Sequence, residues 1–345
     1  MISFTNDYSE GAHPRILELL TKTCMEQNKG YGDDIHCNKA RQYIKKHLGR
    51  EDVDIHFLAG GTQTNLLVIS AFLRPHQCVI AADSGHINVH ETGAIEATGH
   101  KVVTAMGREG KLTPEAIIKV LEYHSDEHMV KPGMVYLSDS TELGTIYTKK
   151  ELVAIRKLCI EKNLILFLDG ARLGSALTCR ENDMTLEDIA ALTDVFYIGG
   201  TKNGALLGEA LIICNKELKE DFRYLMKQRG AMLAKGFIIG IQFEALFEDH
   251  LYFELGSHAN RMAEKIAASL TDLGFPFYTP VSSNQLFPIL PDKLIDQLSL
   301  EFEFLVQERR KDGTSVIRLV TSWATTEQSV ERLIRFLSDT CSSSV

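Results

Sequence analysis

Between Asp54 and Cys214 short apolar runs alternate with helical patterns, and this alternation constrains the fold more than any other feature of the chain. The runs at 54–58, 78–82, 101–104, 133–138, 164–169, 194–198 and 210–214 are candidate strands. Helical periodicity fills 64–73, 113–124, 149–162 and 185–191 between them. The candidate strands are continuously hydrophobic, as in Ile165-Leu166-Phe167-Leu168, and do not alternate apolar with polar residues. Strands of that kind are buried on both faces. The expectation is an α/β layer domain with a mostly parallel, seven-stranded sheet covered by helices.

The pattern changes further on. Helices are expected at 217–228 and 238–247, then an amphipathic helix at 258–273 with Met262, Ile266 and Leu270 at i+4 steps. Strands at 285–290 and 315–320 and helices at 291–297 and 327–337 follow, an α+β arrangement. A chain of 345 residues exceeds one small core. The expected division is a large α/β domain at 15–245 and a small C-terminal α+β domain at 246–345, with segment 1–14 packed on the small domain or at the active site. There is no internal repeat, and Ser342-Ser343-Ser344 reads as a frayed terminus.

Composition excludes several function classes. Hydrophobic residues are 44% and charged residues 24%, the mix of an ordinary globular protein, which argues against extended disorder. The net charge of −9, with no long Lys/Arg block, argues against a nucleic-acid partner. No apolar run reaches the span of a bilayer, and the N-terminus lacks the basic and apolar regions of a signal peptide, so a cytoplasmic protein is expected. Seven scattered cysteines, odd in number and without C-x-x-C, read as reduced thiols and not as a disulfide framework or metal site.

In an open α/β sheet ligands bind beyond the carboxyl ends of the strands, so the residues that follow each strand carry the functional signal. After Leu58 comes Gly60-Gly61-Thr62-Gln63-Thr64-Asn65 and a helix. Free N–H groups at a helix start with close backbone access bind phosphate; the alternative is a tight turn with Thr62 or Thr64 as N-cap. After Ala82 come His86, whose ring could stack on a flat cofactor or simply be solvated, and Glu91, which could face the same cleft. After Leu168 comes Asp169-Gly170-Ala171-Arg172. An acid at the end of an apolar strand needs a partner, either a cationic pyridinium nitrogen or, structurally, Arg172 or a helix cap. After Ile198 comes Gly199-Gly200-Thr201-Lys202-Asn203-Gly204, a lysine at a crowded, glycine-lined strand end, where burial lowers its pKa and favours Schiff-base chemistry. Arg318, inside Val316-Ile317-Arg318-Leu319-Val320, needs an anion, either a substrate carboxylate or a structural acid.

At these residues the chain resembles the L-threonine aldolase and β-eliminating lyase family. Asp169-Gly170-Ala171-Arg172-Leu173 matches its D-G-A-R-[LF] signature, and Gly60–Asn65 is similar to its S-G-T-x-x-N loop. His86-Ile87 with Glu91 matches H-I-x-x-x-E, Tyr31-Gly32-Asp33-Asp34 is similar to Y-G-x-D, and Leu137–Thr141 resembles L-x-x-x-T. The resemblance implies the pyridoxal 5'-phosphate (PLP)-dependent transferase fold of type I and a homotetramer or homodimer. It implies that Lys202 binds PLP, Asp169 contacts the pyridine nitrogen, His86 stacks on the ring, and Gly61 and Thr62 bind phosphate. By the same resemblance Arg172 and Arg318 hold the substrate carboxylate with help from Asn6, and His128 handles the substrate hydroxyl. His86, His128 or a water held by them and Glu91 are the candidate bases. The implied reaction is cleavage of threonine, allo-threonine or a related β-hydroxy-α-amino acid to glycine and an aldehyde. Alternatives are β-elimination to pyruvate and ammonia, or a non-catalytic ligand-binding protein. The family arginine that reaches the neighbouring subunit's phosphate is Leu233 in this chain, leaving Lys227, Arg229 or Lys235 to replace it.

Overall fold

A computed structural model describes residues 1–342. The large sheet has seven strands in the order Asp54–Leu58, Glu209–Ile213, Val195–Gly199, Ile165–Asp169, Lys131–Ser138, Gln77–Ala82 and Lys101–Ala105. Neighbours from Val195–Gly199 to Lys101–Ala105 pair in parallel. Glu209–Ile213 alone runs against both of its neighbours. The cause is local. A parallel return needs a crossover of roughly a dozen residues or more. Residues 200–208 are too few for a crossover, so the chain doubles back, and this short loop carries Lys202.

The strands are buried on both faces, as their unbroken hydrophobicity predicts. Leu166 and Leu168 join one apolar cluster and Phe167 joins the cluster on the opposite face. Helices Lys149–Lys162 and Leu186–Leu192 begin with capping boxes built on Thr148 with Glu151 and Thr185 with Asp188. Gly170 and Gly199 let the ends of adjacent strands approach. A Cβ on Gly170 would lie 2.0 Å from the Tyr197 carbonyl oxygen, and one on Gly199 would lie 2.3 Å from that of Ala171.

A third apolar cluster gathers Met262, Ile266, Leu270, Ile317, Leu319, Val330 and Leu333. Its centre is strand Thr314–Val320, paired antiparallel with Ile289–Pro291, Leu305–Arg309 and Gln285–Leu286. The handover between cores takes place inside helix Leu251–Asp272: Leu251 and Leu255 belong to the large-sheet core, Met262 and Ile266 to the small one. Phe4 is fully buried in this third cluster, and strand Ile2–Ser3 pairs in parallel with Phe302–Glu303. That anchor delivers residues 5–8 to the cleft between the two cores.

Several element boundaries differ from the sequence reading. Helices Pro14–Thr23 and Ile35–Leu48 were not anticipated. The first starts on Pro14 at its N-terminal position, and the second is capped by Asp34 and ended by left-handed Gly49. The helix expected at 217–228 is broken by Asp221 at φ 58° into a short turn and Phe222–Gln228. The helix expected at 258–273 starts earlier, at Leu251. The strand expected at 285–290 is interrupted at Phe287-Pro288, because proline has no N–H for a ladder. Strand Leu305–Arg309 gives no apolar signal because all five residues are exposed. Ser342 closes helix Glu327–Ser342, contrary to a frayed end, while Ser343 and Ser344 lie outside the described residues.

Candidate active site

The carboxyl ends of the central strands converge on Asp169. Its Oδ1 accepts from the Tyr197 hydroxyl at 2.5 Å and the Ala171 N–H at 3.0 Å. Its Oδ2 accepts from the Tyr136 hydroxyl at 2.5 Å and Asn65 Nδ2 at 3.1 Å. Tyr136 and Phe167 are register partners, and Asp169 lies two residues beyond Phe167, so strand geometry puts these groups on one face. Burial and the nearby Asp169 carboxylate hold both tyrosines well above the usual phenol range, so they remain donors. A carboxylate has about four acceptor positions. A cationic group brought to Asp169 would therefore have to displace one of these four donors, of which Asn65 is the most distant.

The structural alternative for Asp169, an ion pair with Arg172, does not occur. Arg172 donates through Nε to Asp7 Oδ2 at 2.7 Å and through Nη2 to Asp7 Oδ1 at 3.1 Å. Asn284 also donates to Asp7 Oδ2 at 3.0 Å. Burial would raise the Asp7 pKa, but the charges of Arg172 and Lys202 and these hydrogen bonds outweigh it and leave it below the usual carboxylate range.

Lys202 is half-buried in the 200–208 loop, with its Nζ 5.9 Å from the centroid of the Tyr8 ring. Burial and the neighbouring Arg172 charge push its pKa down, which favours the nucleophilic amine. The loop is pinned from below by buried Glu209, which accepts from the Gly200 N–H at 3.0 Å and the Thr201 hydroxyl at 2.9 Å. Burial lifts the Glu209 carboxyl to about 8.

Gly61 and Thr62 open helix Gly61–Phe72, whose N-cap is Gly60 and has no side-chain cap. Neither Thr62 nor Thr64 is the cap, so the first N–H groups remain available to an anion. His86 opens the short helix His86–Val89 after strand Gln77–Ala82. Its Nδ1 lies 2.7 Å from Glu91 Oε1, which also accepts from Asn65 Nδ2 at 2.7 Å. Asn65 thus ties the histidine's orienting acid to Asp169. Glu91 is buried, with Oε1 shared by His86 and Asn65 and Oε2 without a partner, and through Oε1 it orients His86. The His86 backbone N–H donates to Glu142 Oε1 at 2.9 Å.

Arg318 donates to the Thr5 carbonyl at 3.2 Å, and its buried Nε has no partner. Among the described residues it forms no ion pair, so the structural-acid alternative fails. Burial and the nearby Arg172 charge lower its pKa, a mark of an unneutralised cation.

Two expected site residues are placed differently. Asn6 Oδ1 accepts from the Tyr8 N–H at 2.9 Å and the Ser9 hydroxyl at 3.0 Å, a local turn; it is Asp7 that meets an arginine. His128 is exposed in the turn before strand Lys131–Ser138, at the edge opposite Ser138 and Asp169. Sequence reasoning missed Asp7, Tyr136 and Tyr197. The two tyrosines were hidden in strands read only as hydrophobic, although each stands two residues before its strand end.

A model of the beta-eliminating lyase family matches residues 12–292. A low specificity L-threonine aldolase from a Pseudomonas species is 32% identical, with 96% of this chain and 95% of that protein covered. The structure of a threonine aldolase from Leishmania major is 53% identical, covers 99% of this chain and 100% of its own, and has a TM-score of 0.98. An aspartate aminotransferase from Thermus thermophilus, 15% identical with 98% of this chain and 91% of its own covered at a TM-score of 0.73, shares the fold.

Proposed function

The chain belongs to the beta-eliminating lyase family, and from that premise we propose that it is a PLP-dependent aldehyde-lyase that cleaves L-threonine, L-allo-threonine or a related β-hydroxy-α-amino acid to glycine and an aldehyde. The observation that carries this reading is the pairing of Asp169, fixed by four donors, with Lys202 on the loop of the adjacent strand end. The aldolases from Pseudomonas and Leishmania major, similar along nearly their whole length, support the choice of reaction.

Pyridoxal phosphate, when bound, supplies a conjugated ring that accepts the electron pair left on the substrate Cα. The chain's own residues do the rest. The uncapped start of helix Gly61–Phe72 takes the phosphate, with Gly61 and Thr62 at its first turn. Lys202 offers an amine whose pKa is lowered by burial and the neighbouring Arg172 charge. Asp169 holds negative charge at the ring nitrogen. His86, oriented by Glu91, would cover one face of the ring. Arg318 brings a cation with an unpaired Nε for the substrate carboxylate. Arg172 contributes to the same carboxylate only by giving up part of its hold on Asp7.

A homotetramer or homodimer completes this reading, with exposed Lys227, Arg229 or Lys235 as the cation offered to a neighbouring phosphate. All seven cysteines are free, which fits the cytoplasm, and among the described residues no helix is long and apolar enough to cross a membrane. The test is product identity: purified protein supplied with PLP and L-allo-threonine should release acetaldehyde and glycine. Pyruvate and ammonia in their place would move the assignment to β-elimination. A protein that takes up PLP yet yields neither would be a binding protein.

A further inference from the structure

His128 lies at the far edge of the sheet. His86 has its Nδ1 engaged by Glu91 and no hydrogen bond at Nε2 among the described residues, and the proposed function assigns it to the cofactor ring. That leaves the substrate's β-hydroxyl proton to another group in the cleft. His90 stands one helical turn beyond His86, as the C-cap of helix His86–Val89. Residues four apart share a helix face, and the two rings lie 5.5 Å apart between centroids. Its side chain is exposed, and among the described residues no hydrogen bond engages its ring nitrogens. The groups within electrostatic reach come from every wall of the cleft: His86 on its own helix, Arg318 on strand Thr314–Val320, Lys202 on the 200–208 loop, and Arg172 beyond strand Ile165–Asp169. These residues converge on the substrate's place in the proposed function.

Resting on the aldolase reading above, we infer that His90 is a catalytic residue, the general base that takes the proton from the substrate's β-hydroxyl. The proton passes from the hydroxyl oxygen to a His90 ring nitrogen as the Cα–Cβ bond breaks. The O–H electron pair becomes the second bond of the aldehyde carbonyl. The Cα–Cβ pair stays with Cα, for which the cofactor, when bound, would supply the electron sink, and a proton from solvent at Cα completes glycine. His90 returns its proton to solvent, to which it is open. Burial, and then the charges of His86, Arg318, Lys202 and Arg172, hold the His90 pKa below the ordinary 6.5, so the ring is a neutral acceptor at neutral pH.

The discriminating comparison is between cleavage and the exchange of glycine's α-proton with deuterated water, which involves no β-hydroxyl. His90→Phe should slow cleavage of L-allo-threonine by about 100-fold or more. It should leave the visible band of the lysine-bound cofactor and the glycine exchange rate near wild type, and should erase the acid limb of kcat/KM. In the cofactor-free protein, the His90 ring followed by NMR should titrate below 6.5. Cleavage within a few-fold of wild type would overturn the assignment. So would equal loss of cleavage and exchange in both His90→Phe and the milder His90→Asn, since that marks a structural role. Failure of the aldolase reading is separately visible, because wild-type protein would then release no aldehyde.

Discussion

Asp169 and Arg318 are both charged side chains placed at apolar strands around one cleft, yet their surroundings are opposite. Every acceptor position of Asp169 is filled by a protein donor. Among the described residues the Arg318 side chain has a single hydrogen bond, to a backbone carbonyl, and a buried Nε with none. Between them stands Arg172, whose charge is met by a bidentate Asp7. The floor of the cleft, unlike the rim, is thus ordered by protein donors before any ligand arrives, one of which a ring nitrogen would displace. An unmade hydrogen bond at a buried cation is costly, roughly 1–3 kcal/mol or more, and an incoming carboxylate that makes it recovers that cost as affinity. A preorganised floor suits a resident cofactor, while an unsatisfied rim suits a substrate that comes and goes.

The comparison can be broken from the floor first. Asp169→Asn keeps the shape but removes the charge, and kcat should fall about 100-fold to 1000-fold while the protein still takes up PLP. A kcat equal to wild type would show that the four-donor carboxylate is a structural knot.

The floor was also the more legible half in the sequence. Lys202 and His86 follow largely apolar strands, Asp169 ends one and the Gly60-Gly61-Thr62 turn follows Asp54–Leu58, and the position of a strand end is a local property that periodicity reveals. The rim depends on long-range packing. Asp7 reaches Arg172 only because Phe4 is buried among Met262, Leu286 and Phe302 far along the chain, and no local pattern encodes that. His128 failed for the same reason. It lies just before strand Lys131–Ser138, which carries the chain across the whole sheet before it reaches the cleft. The helix Pro14–Thr23 was missed although Pro14 and the His13 cap mark its start. Strand Leu305–Arg309, exposed at all five residues, carries no burial signal for a reader to use.

At the rim, Arg318→Lys replaces a forked donor with a point charge. KM for the amino acid should rise about tenfold or more with kcat changed less, as expected when uniform binding is lost. A wild-type KM would mean that the carboxylate is held elsewhere. The smallest effect on turnover is expected from Asp7→Asn, which sharpens the idea that Asp7 competes with substrate for Arg172: KM should fall, not rise. The same variant has a signature in stability. The folded pKa of Asp7 is depressed, so its ion pair contributes fully above the ordinary carboxylate value of 3.8 and is lost as pH falls through the lower folded value. Asp7→Asn should therefore lower the melting temperature near neutrality and narrow the gap to wild type as pH drops below 3.8. A gap independent of pH would contradict the ion-pair account.

The central claim is that Lys202 is the residue to which the cofactor is bound. Borohydride reduction of the PLP-loaded protein, followed by peptide mass mapping, tests it most directly. The account predicts loss of the visible band and one pyridoxyl-phosphate adduct, on the peptide that contains Lys202, with no adduct in Lys202→Ala. An adduct on another lysine, or a band that borohydride leaves unchanged, would contradict it.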